Sequence, residues 1–286
     1  MTDAATSDAW VPLGETPATE PRTLVPGVPQ WLRPEIGQFL GRMASARSDW
    51  LVEYRHVRQN DENYQQTFEL IEWEDIVATF GEEECLNLVD FALRFLPSSN
   101  IHVRDLAHWL HTGGSMWKVG IRNGQPGLER RVPPEVGDLA ERAMKTDGDT
   151  GVLLSKAWAL AFGRNPDPEA SYVQTVKAVE AATVPLILSG YAGATLGKVI
   201  QRLDNQKHLE WSLGFRREHT VHPSGETLAS MMRTIWTGHD DRHAGQADYA
   251  PSRQEDAETA VLLAATLIYF FTSGKVIHTP PALPAV

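Results

Sequence analysis

An apolar segment near the end of the chain constrains the fold more than any other feature. Between Ala260 and Phe271 only Thr266 interrupts a run of aliphatic, aromatic and alanine side chains. The run is shorter than the roughly 20 residues that cross a bilayer, and a helix that is apolar on all sides is stable only inside a protein. The sequence therefore predicts a helix that runs to about Thr272 and is surrounded by other helices of a bundle.

Signals at helix starts support a helical chain. Ser252 and Glu255 have the spacing of a capping box, which predicts the start of the apolar helix. Asp167 followed by Pro168 predicts the N-cap and first residue of another helix. A stripe of Leu228, Met231, Met232 and Ile235 predicts an amphipathic helix from about residue 226 to 236.

One segment favours β-structure. Trp117, Val119 and Ile121 alternate with other residues, turn-forming residues follow at 123–127, and an apolar segment resumes at Leu128. This pattern predicts a β-hairpin. The predicted fold class is therefore mainly α, with an N-terminal helical domain that carries one short hairpin and a C-terminal antiparallel helical bundle.

The predicted organisation has four parts. Prolines among small polar residues predict a flexible arm over residues 1–30. The N-terminal helical domain spans 31–132 and the bundle spans 133–275. Residues 276–286, which again contain several prolines, are predicted to be a disordered tail.

Composition narrows the class of protein. Of the 286 residues, 42% are hydrophobic and 22% charged, as in globular proteins. The single cysteine, Cys85, excludes an intramolecular disulfide and a cysteine-rich zinc module. With no export leader or membrane span in the sequence, we expect a cytoplasmic protein that does not bind a membrane, and we expect no cofactor.

The charge is unevenly distributed. The net charge of −11 argues against a general nucleic-acid coat. Between Asp61 and Asp90 lie ten acidic residues and no lysine or arginine, so the rest of the chain is nearly neutral and leaves room for a local basic site. The acidic segment 61–90 is a candidate docking face for a basic regulatory protein.

The side chains that are best suited to catalysis lie just before the apolar helix. Arg233, His239, Arg242 and His243 fall within eleven residues. A histidine can take a proton from a ribose 2′-hydroxyl or give one to the leaving oxygen. An arginine can hold the scissile phosphate and offset its developing charge. These groups suffice for RNA cleavage without a metal.

Glu180 lies close to the apolar face of its predicted helix. A carboxylate there needs a cation or amide partner, because burying it alone is costly. It forms either a structural ion pair, with Arg233 or Arg242, or it orients a catalytic arginine or histidine. Arg233 lies opposite the apolar stripe of its own helix, so it faces solvent unless a second surface covers it.

A metal site is the alternative for the histidines. His239 and His243 are four residues apart, a spacing that puts two imidazoles on one helix face. However, Gly238 and Gly245 favour a loop, and no distant ligands are fixed by spacing. A metal-dependent phosphohydrolase that uses His239, Asp240 and His243 therefore stays an alternative, and no metal is expected.

Several motifs in this half of the chain carry a resemblance. They are Tyr172 with residues 177–180 (Lys-Ala-Val-Glu), residues 195–197 (Thr-Leu-Gly), Met232-Arg233, residues 241–243 (Asp-Arg-His) followed by Ala244 and Gly245, and the alanine-rich helix that ends at residues 271–274. On these motifs, residues 167–274 resemble the C-terminal domain of abortive-infection proteins of the HEPN superfamily. Two histidines compete for the superfamily's arginine–histidine motif: His239, at the usual spacing after Arg233-Thr234, and His243, which precedes the last helix.

The resemblance implies both a fold and a function. The fold is a bundle of four or five helices that forms a homodimer with two motifs facing one cleft. The function is metal-independent cleavage of RNA by a toxin of phage defence or phage exclusion. Arg233, His243 or His239, and Glu180 would be the catalytic residues, and Arg242, Lys177 and Thr234 would contact RNA. Since some members of the superfamily are inactive, a non-catalytic module that binds a protein or nucleic acid is the alternative.

Overall fold

The computed structural model describes residues 24–59, 64–122, 124–191, 193–205, 210–237 and 251–280. This part of the chain is mainly α-helical, as predicted, and contains twelve α-helices. They are α1 (Arg33–Ala46), α2 (Asp49–Arg58), α3 (Tyr64–Leu70), α4 (Ile76–Phe80), α5 (Glu82–Leu93), α6 (Ile101–Thr112), α7 (Pro134–Met144), α8 (Asp149–Phe162), α9 (Pro168–Ile187), α10 (Leu196–Asp204), α11 (Ser224–Thr237) and α12 (Gln254–Thr272).

Four short strands accompany the helices in the described residues. They form two separate antiparallel pairs: β1 (Trp117–Arg122) with β2 (Gln125–Arg130), and β3 (Trp211–Leu213) with β4 (Val276–His278). The first pair is the predicted hairpin, in which Val119 faces Leu128 across the two strands. The hairpin prediction is therefore confirmed.

The described residues bury two hydrophobic clusters. The N-terminal cluster takes its buried side chains from residues 28–128 and includes the hairpin residues Trp117 and Leu128. The C-terminal cluster takes its buried side chains from residues 140–271. The predicted boundary at residue 132 falls between the two clusters, and independent folding of the two parts stays a prediction.

The apolar segment forms the central helix of the C-terminal cluster. Helix α12 packs against α7, α8, α9 and α11, and Ala264 and Ile268 in its middle are fully buried. The prediction of an enclosed helix is confirmed. None of the described helices combines the length and apolarity that a membrane crossing requires.

The hairpin connects the two clusters. On the inner side Trp117 and Leu128 pack in the N-terminal cluster. Arg130, directly across from Trp117 in the register, forms an ion pair with Glu258 of α12. Just after α8, the guanidinium of Arg164 lies 4.9 Å from the ring centroid of Trp117. The hairpin is thus held by residues from both halves of the chain.

Two helix starts that the sequence predicts have different outcomes. The Asp167 carboxylate accepts a hydrogen bond from the amide of Ala170 at 3.0 Å, so the predicted N-cap of α9 is confirmed. The capping box at Ser252 is wrong, because α12 begins at Gln254 with Arg253 as its N-cap, and Arg253 makes no capping bond. The guanidinium of Arg253 pairs instead with Asp256 in the first turn.

The end of the predicted flexible arm is packed rather than free. Val28 is fully buried, and its amide donates to the Glu82 carboxylate at 3.1 Å. The Trp117 indole donates to the Pro26 carbonyl at 2.7 Å. The prediction of flexibility is wrong for residues 25–30, because these contacts bind the backbone to the hairpin and to α5. Residues 1–23 lie outside the described part of the chain.

The start of the predicted disordered tail is a strand. β4 pairs with β3, and the ring of His278 stacks on Trp211 with 4.3 Å between centroids. The prediction is wrong for residues 276–278, since a partner strand 65 positions away satisfies their backbone groups. Residues 281–286 lie outside the described part of the chain.

Candidate functional site

Glu180 caps a neighbouring helix. Its side chain is half-buried on α9, and its Oε1 accepts a hydrogen bond of 2.7 Å from the amide of Leu196, the first residue of α10. Thr195, the N-cap residue of α10, makes no side-chain capping bond. The first amides of a helix lack partners within the helix and carry partial positive charge, which favours a carboxylate.

The predicted ion pair between Glu180 and Arg233 is therefore wrong. The carboxylate takes its hydrogen bond from a backbone amide, and Arg233 binds a different acid. Among the described residues, Oε2 of Glu180 accepts no hydrogen bond. That second oxygen is the part of Glu180 that remains open to another group.

Helices α10 and α11 approach closely next to this cap. A Cβ atom added to Gly197 would lie 3.1 Å from the ring of Trp236, so the glycine lets α10 contact the last turn of α11. The contacts run from Glu180 to Leu196, on to Gly197 and then to Trp236. They place Glu180 near the end of α11, at Thr237. Thr237 directly precedes the segment with the two histidines in the sequence.

Arg233 lies on α11 one turn before its end. One terminal nitrogen of its guanidinium lies 2.7 Å from each carboxylate oxygen of Asp204, the last residue of α10. The two side chains are 43% and 44% exposed. An ion pair this exposed contributes little stability, so an anion from solvent can replace Asp204.

Helix α10 thus separates the two predicted catalytic groups. Glu180 binds its first residue and Arg233 binds its last, and the eight rises from Leu196 to Asp204 span about 12 Å. Glu180 therefore does not hold Arg233 by a direct hydrogen bond, and its role in orienting a catalytic arginine or histidine stays a prediction. Glu180 instead caps the first turn of α10, and Arg233 forms an exposed ion pair with its last residue.

Two further predicted residues are accessible. Lys177 is exposed on α9 one turn before Glu180, and it has no partner among the described residues. Thr234 is exposed on α11, and its hydroxyl donates to the Ser230 carbonyl at 3.0 Å. Both side chains are free to contact a ligand on this surface.

The remaining predicted site residues lie outside the described part of the chain. They are His239, Asp240, Arg242 and His243, which belong to residues 238–250. Within the described ranges, no group of three or more histidine, cysteine or acidic side chains is arranged to hold a metal ion. The roles of the two histidines, with or without a metal, stay predictions.

Sequence reasoning missed Asp204 and the cap on Leu196. The Thr-Leu-Gly motif at residues 195–197 carried a signal for the second, because a glycine after a helix start indicates close packing. Asp204 carried no such signal, since its pairing with Arg233 depends on how two helices align.

The acidic segment divides into two groups. Four acids bind other groups of the same chain. Glu82 pairs with Arg33, and Glu83 pairs with Arg164. Glu84 accepts hydrogen bonds from two tyrosines, and Asp90 accepts one from the Leu128 amide. Four others are exposed beside two exposed apolar side chains. This exposed group comprises Glu69, Leu70, Glu72, Trp73, Glu74 and Asp75.

The chain was compared with protein-family models, with curated proteins and with solved structures. No family model, no curated protein and no solved structure matches it.

Proposed function

We propose that the protein is a metal-independent endoribonuclease that acts in the cytoplasm, in phage defence or phage exclusion. The observation that carries this proposal is the exposure and the weak pairing of the Arg233 guanidinium. Its guanidinium is half-exposed, pairs among the described residues with one exposed carboxylate, and lies on the last turns of the helix that leads into His239 and His243. A phosphate of RNA can take the place of Asp204 on this guanidinium.

The proposed chemistry is an attack by the neighbouring ribose. His243, or else His239, removes the proton from the 2′-hydroxyl, and the 2′-oxygen forms a bond to phosphorus. The bond from phosphorus to the 5′-oxygen breaks, and that oxygen gains a proton from an imidazolium. The products are a 2′,3′-cyclic phosphate and a free 5′-hydroxyl. Arg233 offsets the charge that develops on the phosphate oxygens.

The other residues would bind the RNA or position the catalytic groups. Arg242 adds positive charge beside the histidines, and Lys177 and Thr234 offer accessible donors on α9 and α11. Glu180 acts as a positioning residue, because it fixes the start of α10, which in turn packs against the end of α11 through Gly197. A homodimer is part of the proposal, since Arg233 points away from its own core.

The decisive experiment is incubation of the full-length protein with total RNA in EDTA, followed by analysis of the product ends. Cyclic phosphate ends are expected. Arg233→Ala should slow cleavage by about 100-fold or more, and the double variant His239→Ala, His243→Ala should abolish it. Arg253→Ala is the matched control, because Arg253 is an exposed arginine paired with a nearby acid. Unchanged cleavage in both active-site variants would refute the assignment.

Asp204→Asn tests the same site by a change that should strengthen RNA binding. It removes the carboxylate that competes with RNA for Arg233, so RNA should bind about two- to fivefold more tightly, in line with the small energy of exposed pairs. Asp256→Asn, which frees the control arginine Arg253, should leave RNA binding unchanged. Weaker binding by Asp204→Asn would show that the pair itself holds the site together.

The exposed acidic group favours a second candidate function, a non-catalytic module that docks a basic protein. Its acids flank Leu70 and Trp73 in the sequence, and these two apolar side chains are 76% and 39% exposed. Exposed apolar side chains within a charged rim are typical of interfaces. This function predicts partner binding that weakens with salt and with the double change Glu72→Lys, Glu74→Lys, and it predicts no RNA turnover.

A further inference from the structure

A large cleft lies between the hairpin and the C-terminal helices. Its volume is about 1030 Å³, which is at the upper end of the roughly 300–1,000 Å³ of small-molecule sites. Strands β1 and β2 form one wall, and α7, α8 and the residues between them form the other. The cleft therefore adjoins both hydrophobic clusters, and clefts between such units are common places for ligands.

Arg131 brings an uncompensated positive charge to this cleft. Its Nε donates to the Ser115 carbonyl at 2.9 Å, and an Nη lies 3.4 Å from Nδ1 of His111. Among the described residues, no carboxylate pairs with it. Burial lowers the pKa of Arg131 from its usual value, but a guanidinium stays charged at neutral pH. It is a half-buried cation without an anion.

The other basic side chains of the cleft are neutralised. Lys118 pairs with Glu129 at 2.8 Å, and Lys145 pairs with Glu141 at 3.1 Å. Arg131 is thus the cation that an incoming anion would meet without displacing a carboxylate.

Trp158 contributes an unused donor to the same cleft. The residue is 2% exposed, lines the cleft, and its indole N–H has no hydrogen-bond partner. A buried donor left without an acceptor costs about 1–3 kcal/mol, so native structures rarely keep one. This nitrogen has almost no accessible surface, so an acceptor on a bound ligand would satisfy it after the side chains that cover it move apart.

The cleft also exposes apolar side chains. Ile121 and Val152 line it and are 52% and 69% exposed. Met144 and Val132 add partly buried apolar surface. These side chains would lose contact with water if a planar or apolar body lay against them.

We propose that this cleft binds a small organic anion. A carboxylate or phosphate group pairs with Arg131, an acceptor on the ligand takes the Trp158 N–H, and an apolar or planar body lies against Ile121 and Val152. Two acids of the wall, Asp138 and Asp147, are exposed and have no cationic partner among the described residues. They disfavour a polyanion, so the ligand carries few charges and is not RNA.

The fluorescent probe 8-anilinonaphthalene-1-sulfonate tests this site, because its sulfonate stands in for the carboxylate or phosphate and its rings for the planar body. Titration of the full-length protein should show saturable binding at one site. Arg131→Gln should weaken binding by about tenfold or more, as expected for a lost charge-assisted bond. Trp158→Phe, which keeps the ring and removes the donor, should weaken it about two- to tenfold. Arg142→Gln, an exposed arginine of α7 outside the cleft, is the control and should bind normally.

A pair of variants at Val152 keeps the test decisive if Arg131→Gln fails to fold. Val152 is exposed, so Val152→Lys and Val152→Asp leave the core intact. The lysine variant should bind the probe more tightly than the aspartate variant. Competition by benzoate or by phenyl phosphate then identifies the preferred anionic group. Absence of saturable binding, or binding that responds neither to Arg131→Gln nor to the charge at residue 152, would overturn the proposal.

Discussion

The two hydrophobic clusters differ in the size of the side chains that they bury. Among the described residues, ten buried side chains of the C-terminal cluster are alanine, against one in the N-terminal cluster. Small side chains let helix backbones approach closely, so the stability of the C-terminal core depends on how closely its helices fit together. The N-terminal core instead holds the largest fully buried side chains, and its Tyr54 and Tyr64 both donate to Oε1 of Glu84, at 2.9 and 2.5 Å. The stability of the C-terminal core should therefore be sensitive to added side-chain volume. The stability of the N-terminal core should be sensitive to lost volume and to the loss of the Glu84 carboxylate.

The largest effect is expected from removing volume in the N-terminal core. Trp50 is fully buried and donates to the Met43 carbonyl. Trp50→Ala should lower the free energy of unfolding by about 3–5 kcal/mol, measured by chemical denaturation. The control Trp31→Ala removes an indole that is 64% exposed. It should cost about 1 kcal/mol, the energy of its one hydrogen bond.

Adding volume to the C-terminal core should have the next largest effect. Ala264 in α12 is fully buried between helices. Ala264→Leu should cost about 1–3 kcal/mol, because neighbouring side chains must leave their preferred rotamers. Ala78→Leu, at an exposed position of α4, should be close to neutral when both variants are measured by chemical denaturation. Equal stability of the two variants would mean that the alanine-rich core is not closely packed.

The carboxylate of the N-terminal core can be neutralised without changing its shape. Glu84→Gln keeps an acceptor for the two tyrosines but removes the charge, which should cost about 1 kcal/mol. Glu74→Gln, at an exposed position of the same acidic segment, should have no measurable effect on the melting temperature. A larger loss in the Glu74 variant than in the Glu84 variant would contradict the internal role of Glu84.

The effect that is absent at neutral pH is a dependence of stability on alkaline pH, and it belongs to the N-terminal core. Burial raises the pKa of Cys85 to about 12, against about 8.5 in an unfolded chain. The native state therefore keeps its proton longer than the unfolded state, and this contribution to stability is complete below the unfolded pKa. It is lost as the pH rises from there toward the folded pKa. Cys85→Ala should remove this component from the pH dependence of unfolding, and identical pH profiles for the two proteins would disprove it.

Local signals in the sequence predicted the elements whose formation depends on nearby residues. The enclosed helix α12, the Asp167 cap and the hairpin each follow from a pattern within about 20 residues of chain. The pair of strands β3 and β4 was missed for the opposite reason. Each strand has only three residues, which is too short for periodicity to show, and its partner is distant in the chain.

The candidate site was harder to predict than the fold. That Glu180 needs a partner followed from its position near an apolar face, but the identity of the partner did not. The Leu196 amide became its partner because α10 starts beside α9, and Asp204 reached Arg233 because α10 packs against α11. Such pairings are set by how helices align in space, and a single sequence does not record that alignment.

The position of α12 has a consequence for synthesis of the chain on the ribosome. It is the last of the described helices, yet α7, α8 and α9 all pack against it. Their apolar faces therefore stay uncovered until almost the whole chain has been made, whereas the N-terminal cluster draws on no buried residue beyond 128. A nascent chain that stops before residue 251 should protect Trp50 from solvent and leave Trp158 accessible. Chaperones that recognise apolar segments would meet the second half of this protein far longer than the first.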